Sequence, residues 1–124
     1  MATTEMNCLA SGGGSADLTL LASEYGGSTN PITKSYTTEK AGYVYVYVVA
    51  TGMSGDYGGD CTITIASGGT TTTVPSADYL VAVAQNNLTG VYIAKLNCQN
   101  GDTISVTATG RGGGYHGNAI MFVG

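Results

Sequence analysis

Charged side chains are scarce in this chain of 124 residues. Asp, Glu, Lys and Arg make up 10 % of the residues, against about 25 % in an average soluble domain. The four basic residues are spread along the sequence, whereas binding to a phosphate backbone needs several Lys or Arg contacts acting together. We therefore expect no nucleic-acid partner. A surface with so few charges is poorly protected against self-association, which is typical of a subunit in an assembly.

The residues that build catalytic and metal sites are also few. His116 is the single histidine, and no Gly-x-Ser-x-Gly nucleophile motif occurs. The three cysteines match no zinc spacing. Asp56 and Asp60 share one glycine-rich loop, but calcium requires six to eight oxygen ligands, and aspartate beside glycine is common in turns. We predict no enzyme activity, no metal site and no cofactor.

Long hydrophobic runs are missing as well. The longest apolar stretch, residues 43–50, has eight residues, far below the roughly 20 needed to cross a bilayer. Residues 1–7 lack the charged and apolar regions of a secretory signal. The sequence therefore predicts no membrane insertion and folding in a cytoplasm, where Cys61 and Cys98 are interpreted as free, buried thiols.

The sequence does contain segments in which two kinds of residue alternate, as they do along a β-strand. Gly42–Ala50 is the clearest strand, with tyrosines in one phase and valines in the other. The valine face suits a core. The tyrosine face suits a subunit interface, where each ring buries apolar area while its hydroxyl finds a partner. The opposite assignment, with tyrosines in the core, also fits the pattern. The candidate interface residues are Tyr43, Tyr45 and Tyr47.

Further strand patterns recur at short intervals and are separated by Gly, Asn, Asp, Ser and Pro. This spacing predicts a sandwich or jelly roll. Residues 1–30 form a predicted N-terminal arm, in which residues 16–25 fit either a strand or a short helix, and residues 31–124 form the compact domain. The further strands are predicted at residues 32–38, 61–66, 70–74, 79–85, 91–97, 102–109 and 118–123. Ser67-Gly68-Gly69 predicts a hairpin turn between the strands at 61–66 and 70–74.

Three loops, at residues 51–59, 86–90 and 110–117, are predicted to lie at the apex of the domain. The third loop, residues 110–117, combines Arg, Tyr and His with five glycines, a composition typical of adaptable binding loops. A loop that only connects two strands fits the sequence equally well. The candidate binding residues in these loops are Asp56, Tyr57, Asn86, Asn87, Arg111, Tyr115 and His116.

Two segments carry a resemblance to a known family. They are Tyr-Thr-Thr-Glu-Lys-Ala-Gly-Tyr-Val at residues 36–44 and Leu-Asn-Cys-Gln-Asn-Gly-Asp-Thr-Ile-Ser-Val at residues 96–106, followed by a glycine-rich loop and an apolar final strand. The order is similar to the complement globular-head and tumour-necrosis-factor-like folds. It resembles more closely the small trimeric jelly-roll modules of tailed-phage fibres and capsid decorations. The resemblance covers residues 31–124 and implies a threefold assembly packed around an axis.

These observations predict an all-β, jelly-roll-type antiparallel β-sandwich with an extended N-terminal arm. The resemblance implies a virion structural protein of a bacteriophage: a capsid decoration, head-fibre or fibre-tip subunit, made in the bacterial host cytoplasm. Its expected partners are two further copies of itself, other virion proteins through the arm, and a host-surface glycan at the apical loops. The alternative function is a monomeric carbohydrate-binding β-sandwich module.

Overall fold

The computed structural model describes residues 17–52, 58–83, 89–112 and 116–124. Within these ranges the chain forms strands joined by short connections, with one 3-10 turn at Ser76–Asp78 before β6. The strands, numbered in chain order, are β1 Leu20–Tyr25, β2 Ile32–Thr37, β3 Gly42–Ala50, β4 Gly59–Ser67, β5 Thr70–Thr73, β6 Val81–Val83, β7 Gly90–Cys98, β8 Thr103–Gly110 and β9 Ala119–Val123.

The strands form two antiparallel sheets packed face to face. One sheet has the order β1-β9-β3-β7-β6 and the other has the order β2-β8-β4-β5. The pairs β4 with β5, β3 with β7, β2 with β8 and β1 with β9 are nested like the rungs of one long hairpin. Rolling such a hairpin into two sheets gives the jelly-roll order. The predicted fold class is therefore confirmed.

The core lies between the two sheets and follows the period of two along each strand. Val44, Val46 and Val48 of β3 are buried, so the valine face points inward. The four-stranded sheet contributes the inward side chains of β4 and β8, and β9 contributes the largest fully buried residue, Phe122. The remaining inward residues of these elements include Ala50, Ile63, Ile104, Val106, Ala108 and Ile120.

A tight turn joins β4 to β5. Gly68 and Gly69 have φ values of 57° and 85°, and Ser67 pairs with Thr70 across the loop. Two successive positive φ angles are the requirement of the type I′ hairpin turn, which glycine meets without steric cost. The hairpin predicted at Ser67-Gly68-Gly69 is confirmed.

The segment at residues 16–25, which fitted a strand or a helix, contains strand β1. It pairs with β9, and Leu21 and Ala22 pack against the core. These residues of the predicted arm therefore belong to the sandwich, so the domain includes residues before position 31. Residues 1–16 lie outside the described part of the chain. Cys61 and Cys98 are free thiols, and Cys98 is buried.

Candidate functional site

The outward side chains of the five-stranded sheet form rows that cross all or most of its strands. We call this surface the apolar face. Strand registers define a first row of Tyr25, Ala119, Val49, Val91 and Val83. They define a second row of Ser23, Met121, Tyr47, Ile93 and Val81.

These two rows are almost entirely apolar. Ser23 is the one polar residue among the ten, and none of the ten is charged. Tyr25 is 66 % exposed, Met121 39 % and Val49 36 %. Single exposed hydrophobic residues are ordinary on a protein surface, but a contiguous apolar patch marks a place where another molecule binds.

A cation lies at one end of the apolar face. The third row contains Leu20, Val123, Tyr45 and Lys95, and beyond it Tyr43 pairs with Asn97. The Lys95 ammonium lies 4.3 Å from the centre of the Tyr43 ring and 5.8 Å from that of Tyr45. Both distances suit cation–π attraction. The positive charge is therefore held at the edge of the patch, away from its first two rows.

The three predicted interface tyrosines all lie on this face but in different surroundings. Tyr43 is 56 % exposed and lies at the cationic end, whereas Tyr47 sits in the second row between Met121 and Ile93. The sequence reasoning missed the aliphatic residues around Tyr47. A signal was present, because the first half of β7, residues 91–94, is apolar in both phases of its alternation, which is typical of a strand covered on both faces.

The four-stranded sheet presents a very different outer surface, which we call the hydroxyl face. Hydroxyl pairs join β2 to β8: Thr33 and Thr107 at 2.9 Å, Ser35 and Ser105 at 2.7 Å, Thr37 and Thr103 at 2.9 Å. The same surface continues across β4 and β5. The register places Thr62 and Thr64 beside β8, and Thr71 and Thr73 beside β4.

The predicted apical residues that the structure describes lie in different surroundings. Arg111 forms a bidentate ion pair with Asp60, with its Nη2 2.8 Å from Oδ1 and its Nε 3.2 Å from Oδ2. The hydrogen bond from Arg111 lowers the pKa of Asp60, and its positive charge adds to that effect. The candidates Asp56, Tyr57, Asn86, Asn87 and Tyr115 lie outside the described residues.

His116 does not face outward. Its side chain is 6 % exposed, and Nδ1 lies 3.2 Å from the Thr51 carbonyl oxygen, an arrangement in which a protonated Nδ1 donates. Gly52 forms a backbone bridge with His116. The ring is therefore occupied in holding two loops together, which corrects the prediction that it contacts a ligand at the apex.

Buried amides hold the same end of the sandwich. Asn118 is fully buried, and its Nδ2 donates to Asn30 Oδ1 at 2.7 Å while its Oδ1 accepts from Thr51 N at 3.0 Å. Asn30 Oδ1 also accepts from Gly110 N at 2.8 Å. A side chain at Gly110 would collide with Thr51. The network therefore holds together the loops that connect the two sheets. The side-chain amides of these residues are engaged in internal hydrogen bonds and are not directed towards a ligand in solvent.

Cys61 and two tyrosines cluster at the edge of the core. Burial raises the pKa of Cys61 to about 11 and the pKa of Tyr79 to about 12. Tyr79 packs edge-on against Tyr92, whose hydroxyl donates to Gly59 O at 2.6 Å. Because the thiolate is the nucleophilic form, Cys61 stays protonated and unreactive at neutral pH.

A cleft of about 710 Å³ opens where β3 begins, at the cationic end of the molecule. It is lined by Tyr36, Tyr43, Tyr45 and the carboxylate-bearing Asp17 and Glu39, among others. Its volume falls within the range of about 300–1,000 Å³ found for small-molecule sites. No group of three or more His, Cys, Asp or Glu residues is placed to hold a metal ion within the part of the chain that the structure describes.

The described residues also contain no helix long and apolar enough to cross a membrane. Comparison with known proteins found no matching protein-family model, no matching curated protein and no matching solved structure.

Proposed function

We propose that this chain is a structural subunit of a bacteriophage virion that acts by assembling with other subunits and not by catalysis. The observation that supports this proposal is the apolar face. Its first two rows span about 24 Å across five strands and about 14 Å along them, or roughly 330 Å². This area is comparable to the largest patch on a typical monomer, roughly 300–600 Å², and such patches often bind a partner.

The composition of the rest of the molecule agrees with an assembly role. Few charged side chains are available to form ion pairs at the surface, because charged residues make up only 10 % of the chain. Among the described residues, the buried polar side chains all have structural partners; they are Thr38, Asp102, His116 and Asn118. Cys61 lacks the lowered pKa of a catalytic thiol. These residues support a stable building block better than a catalyst.

The virion setting is the finer part of the proposal and rests on the resemblance of residues 36–44 and 96–106 to trimeric phage modules. In this setting the chain is a capsid-decoration, head-fibre or fibre-tip subunit. Three copies pack around an axis, the part of the predicted arm that precedes β1 attaches the trimer to other virion proteins, and loops at the apex contact a glycan on the host surface.

The second candidate function is a monomeric carbohydrate-binding module. The cleft at the cationic end favours it, because Tyr36, Tyr43 and Tyr45 line this space together with carboxylates. Aromatic rings stack on the apolar faces of sugars, and carboxylates accept hydrogen bonds from sugar hydroxyls. In this case Tyr43 contacts the ligand and the apolar face is not required.

Two measurements on the full chain test the proposal. Sedimentation equilibrium over a wide concentration range gives the oligomeric state, and mass spectrometry with immunogold labelling locates the chain on purified phage particles. A trimer found on particles supports the proposal. A chain absent from particles contradicts the virion setting. A monomer at every concentration contradicts assembly, and glycan binding by that monomer favours the second candidate.

A further inference from the structure

We propose that the apolar face is covered by a second copy of this chain, with the row Met121–Tyr47–Ile93 at the centre of the contact. This inference rests on the proposed assembly function and deepens it, because it names the surface and its partner. The three interface tyrosines suggested by the sequence are not equivalent in it: Tyr47 is central and Tyr43 is peripheral.

The distribution of charged residues on the apolar face indicates which rows form the centre of the contact. An unpaired charge is costly to bury, and the first two rows of the apolar face contain none. Lys95 lies in the third row, where the rings of Tyr43 and Tyr45 hold it. A partner can therefore cover the first two rows completely while the Lys95 ammonium stays at the rim in contact with water.

Packing through the face is favoured over addition of a strand to a sheet edge. Edge addition draws its affinity from a long row of free backbone groups. The sheets have four edge strands. Of these, β6 has three residues and β5 has four, all of them threonine, while β1 and β2 have six residues each and carry the charged residues Glu24 and Lys34. Short or polar edge strands are features by which proteins resist edge pairing. The large apolar surface lies on the face instead.

The size and chemistry of the face fit a copy of itself. A standard interface buries about 800 Å² on each partner and has an apolar centre with a polar rim. The roughly 330 Å² of the first two rows forms such a centre, and the third row with Lys95 lies at the rim. The neighbour must offer a neutral, aliphatic surface, and the apolar face of another copy packed around the same axis is such a surface. The face carries no pattern of charge that would select a foreign partner.

The test compares charge insertion on the two outer faces. Met121→Glu places a carboxylate at the centre of the proposed contact, at a position exposed in the isolated subunit. Thr62→Glu is the matched control on the exposed surface of the hydroxyl face. We expect Met121→Glu to raise the dissociation constant of the oligomer about 100-fold or more, measured by sedimentation equilibrium. We expect Thr62→Glu to leave that constant within about threefold of the wild-type value.

Each outcome separates the inference from the function on which it rests. Val49→Lys, also at an exposed position, serves as a second insertion, and circular dichroism verifies that each variant is folded. If folded Met121→Glu and Val49→Lys both keep the wild-type oligomer, the inference is wrong while assembly stands. If the wild type is monomeric throughout, both proposals fall. A wild-type monomer that co-sediments with phosphatidylcholine vesicles would show that a lipid surface covers the face instead.

Discussion

The two outer faces of this sandwich are built on the same backbone pattern but carry opposite chemistry. On the five-stranded sheet, outward positions in the first two rows are valine, isoleucine, methionine, alanine and tyrosine with one serine. On the four-stranded sheet, the corresponding positions are threonine and serine joined by hydroxyl pairs. Threonine and valine have similar shapes and both favour strands. The difference therefore reflects what each face contacts and not what the fold requires.

Contact with water explains the chemistry of the hydroxyl face, and we propose that contact with a neighbouring copy explains that of the apolar face. Hydroxyls keep their hydration when a sheet faces solvent, so the hydroxyl face suits contact with water in a protein that has few charged residues. Aliphatic side chains gain nothing from water. The predictions below test this contrast in order of decreasing effect on the free energy of unfolding or on solution behaviour.

The largest effect is expected at the boundary between the core and the apolar face. Phe122 is fully buried, and its neighbour Met121 points outward. Phe122→Ala should lower the free energy of unfolding by about 3–5 kcal/mol because it removes core contacts and leaves a cavity. Met121→Ala should cost the monomer less than about 1 kcal/mol. Chemical denaturation at low protein concentration measures both. Equal costs would mean that the apolar face belongs to the monomer's core.

The second prediction concerns buried against exposed hydrogen bonds. Asn118→Ala removes the acceptor of Thr51 N and the donor to Asn30. Leaving such buried groups unsatisfied costs about 1–3 kcal/mol, which thermal or chemical unfolding would detect. The exposed hydroxyl pairs offer the contrast, since water replaces a lost partner there. A cost below about 0.5 kcal/mol for Asn118→Ala would contradict the structural role of this network.

The third prediction makes part of the hydroxyl face apolar and so reduces the chemical difference between the two outer faces. The double change Thr33→Val and Thr107→Val removes one exposed hydroxyl pair and should alter the free energy of unfolding by less than about 1 kcal/mol. It gives the hydroxyl face an apolar spot, so solubility should fall. The matched control is Thr33→Ser with Thr107→Ser, which keeps the hydroxyls. Unchanged solubility of the valine variant would argue that the hydroxyls do not keep this face in water.

The smallest effect is expected at the Asp60–Arg111 ion pair. The pKa of Asp60 is lowered by Arg111, so the pair stabilises the fold above the unfolded-state pKa of about 3.9. That contribution is lost as pH falls through the lower, folded-state value. Because Asp60 is largely exposed, Asp60→Asn should cost about 0–1 kcal/mol at neutral pH. Unfolding curves at neutral and acidic pH test this, and a cost that grows on acidification would contradict it.

Local features of this fold are readable from the sequence because they depend on near neighbours. The alternation of Gly42–Ala50 predicted both the strand and its valine core. Ser67-Gly68-Gly69 predicted the hairpin because two successive positive φ angles need glycine. The segment that became β1 was ambiguous, since its strand character depends on pairing with β9, almost a hundred residues away.

Features that depend on distant pairing could not be read in the same way. Val49, Val91 and Ala119 are unremarkable one by one, and they form a patch only because β3 lies between β7 and β9. His116 looked like a loop residue because its partner, the Thr51 carbonyl, is 65 residues away. The candidate interface tyrosines were found from the alternation alone, whereas the aliphatic centre of their surface required the sheet order.

The central claim, that a second copy covers the apolar face, is tested most directly by the oxidation of Met121. Peroxide converts exposed methionine to its sulfoxide, and peptide mass spectrometry reports the rate at this residue alone. Met121 is 39 % exposed in the single subunit, so it should react readily in dilute protein. The account predicts that this rate falls as protein concentration rises and the oligomer forms. An oxidation rate of Met121 that stays constant across the concentration range in which monomer converts to oligomer would contradict it.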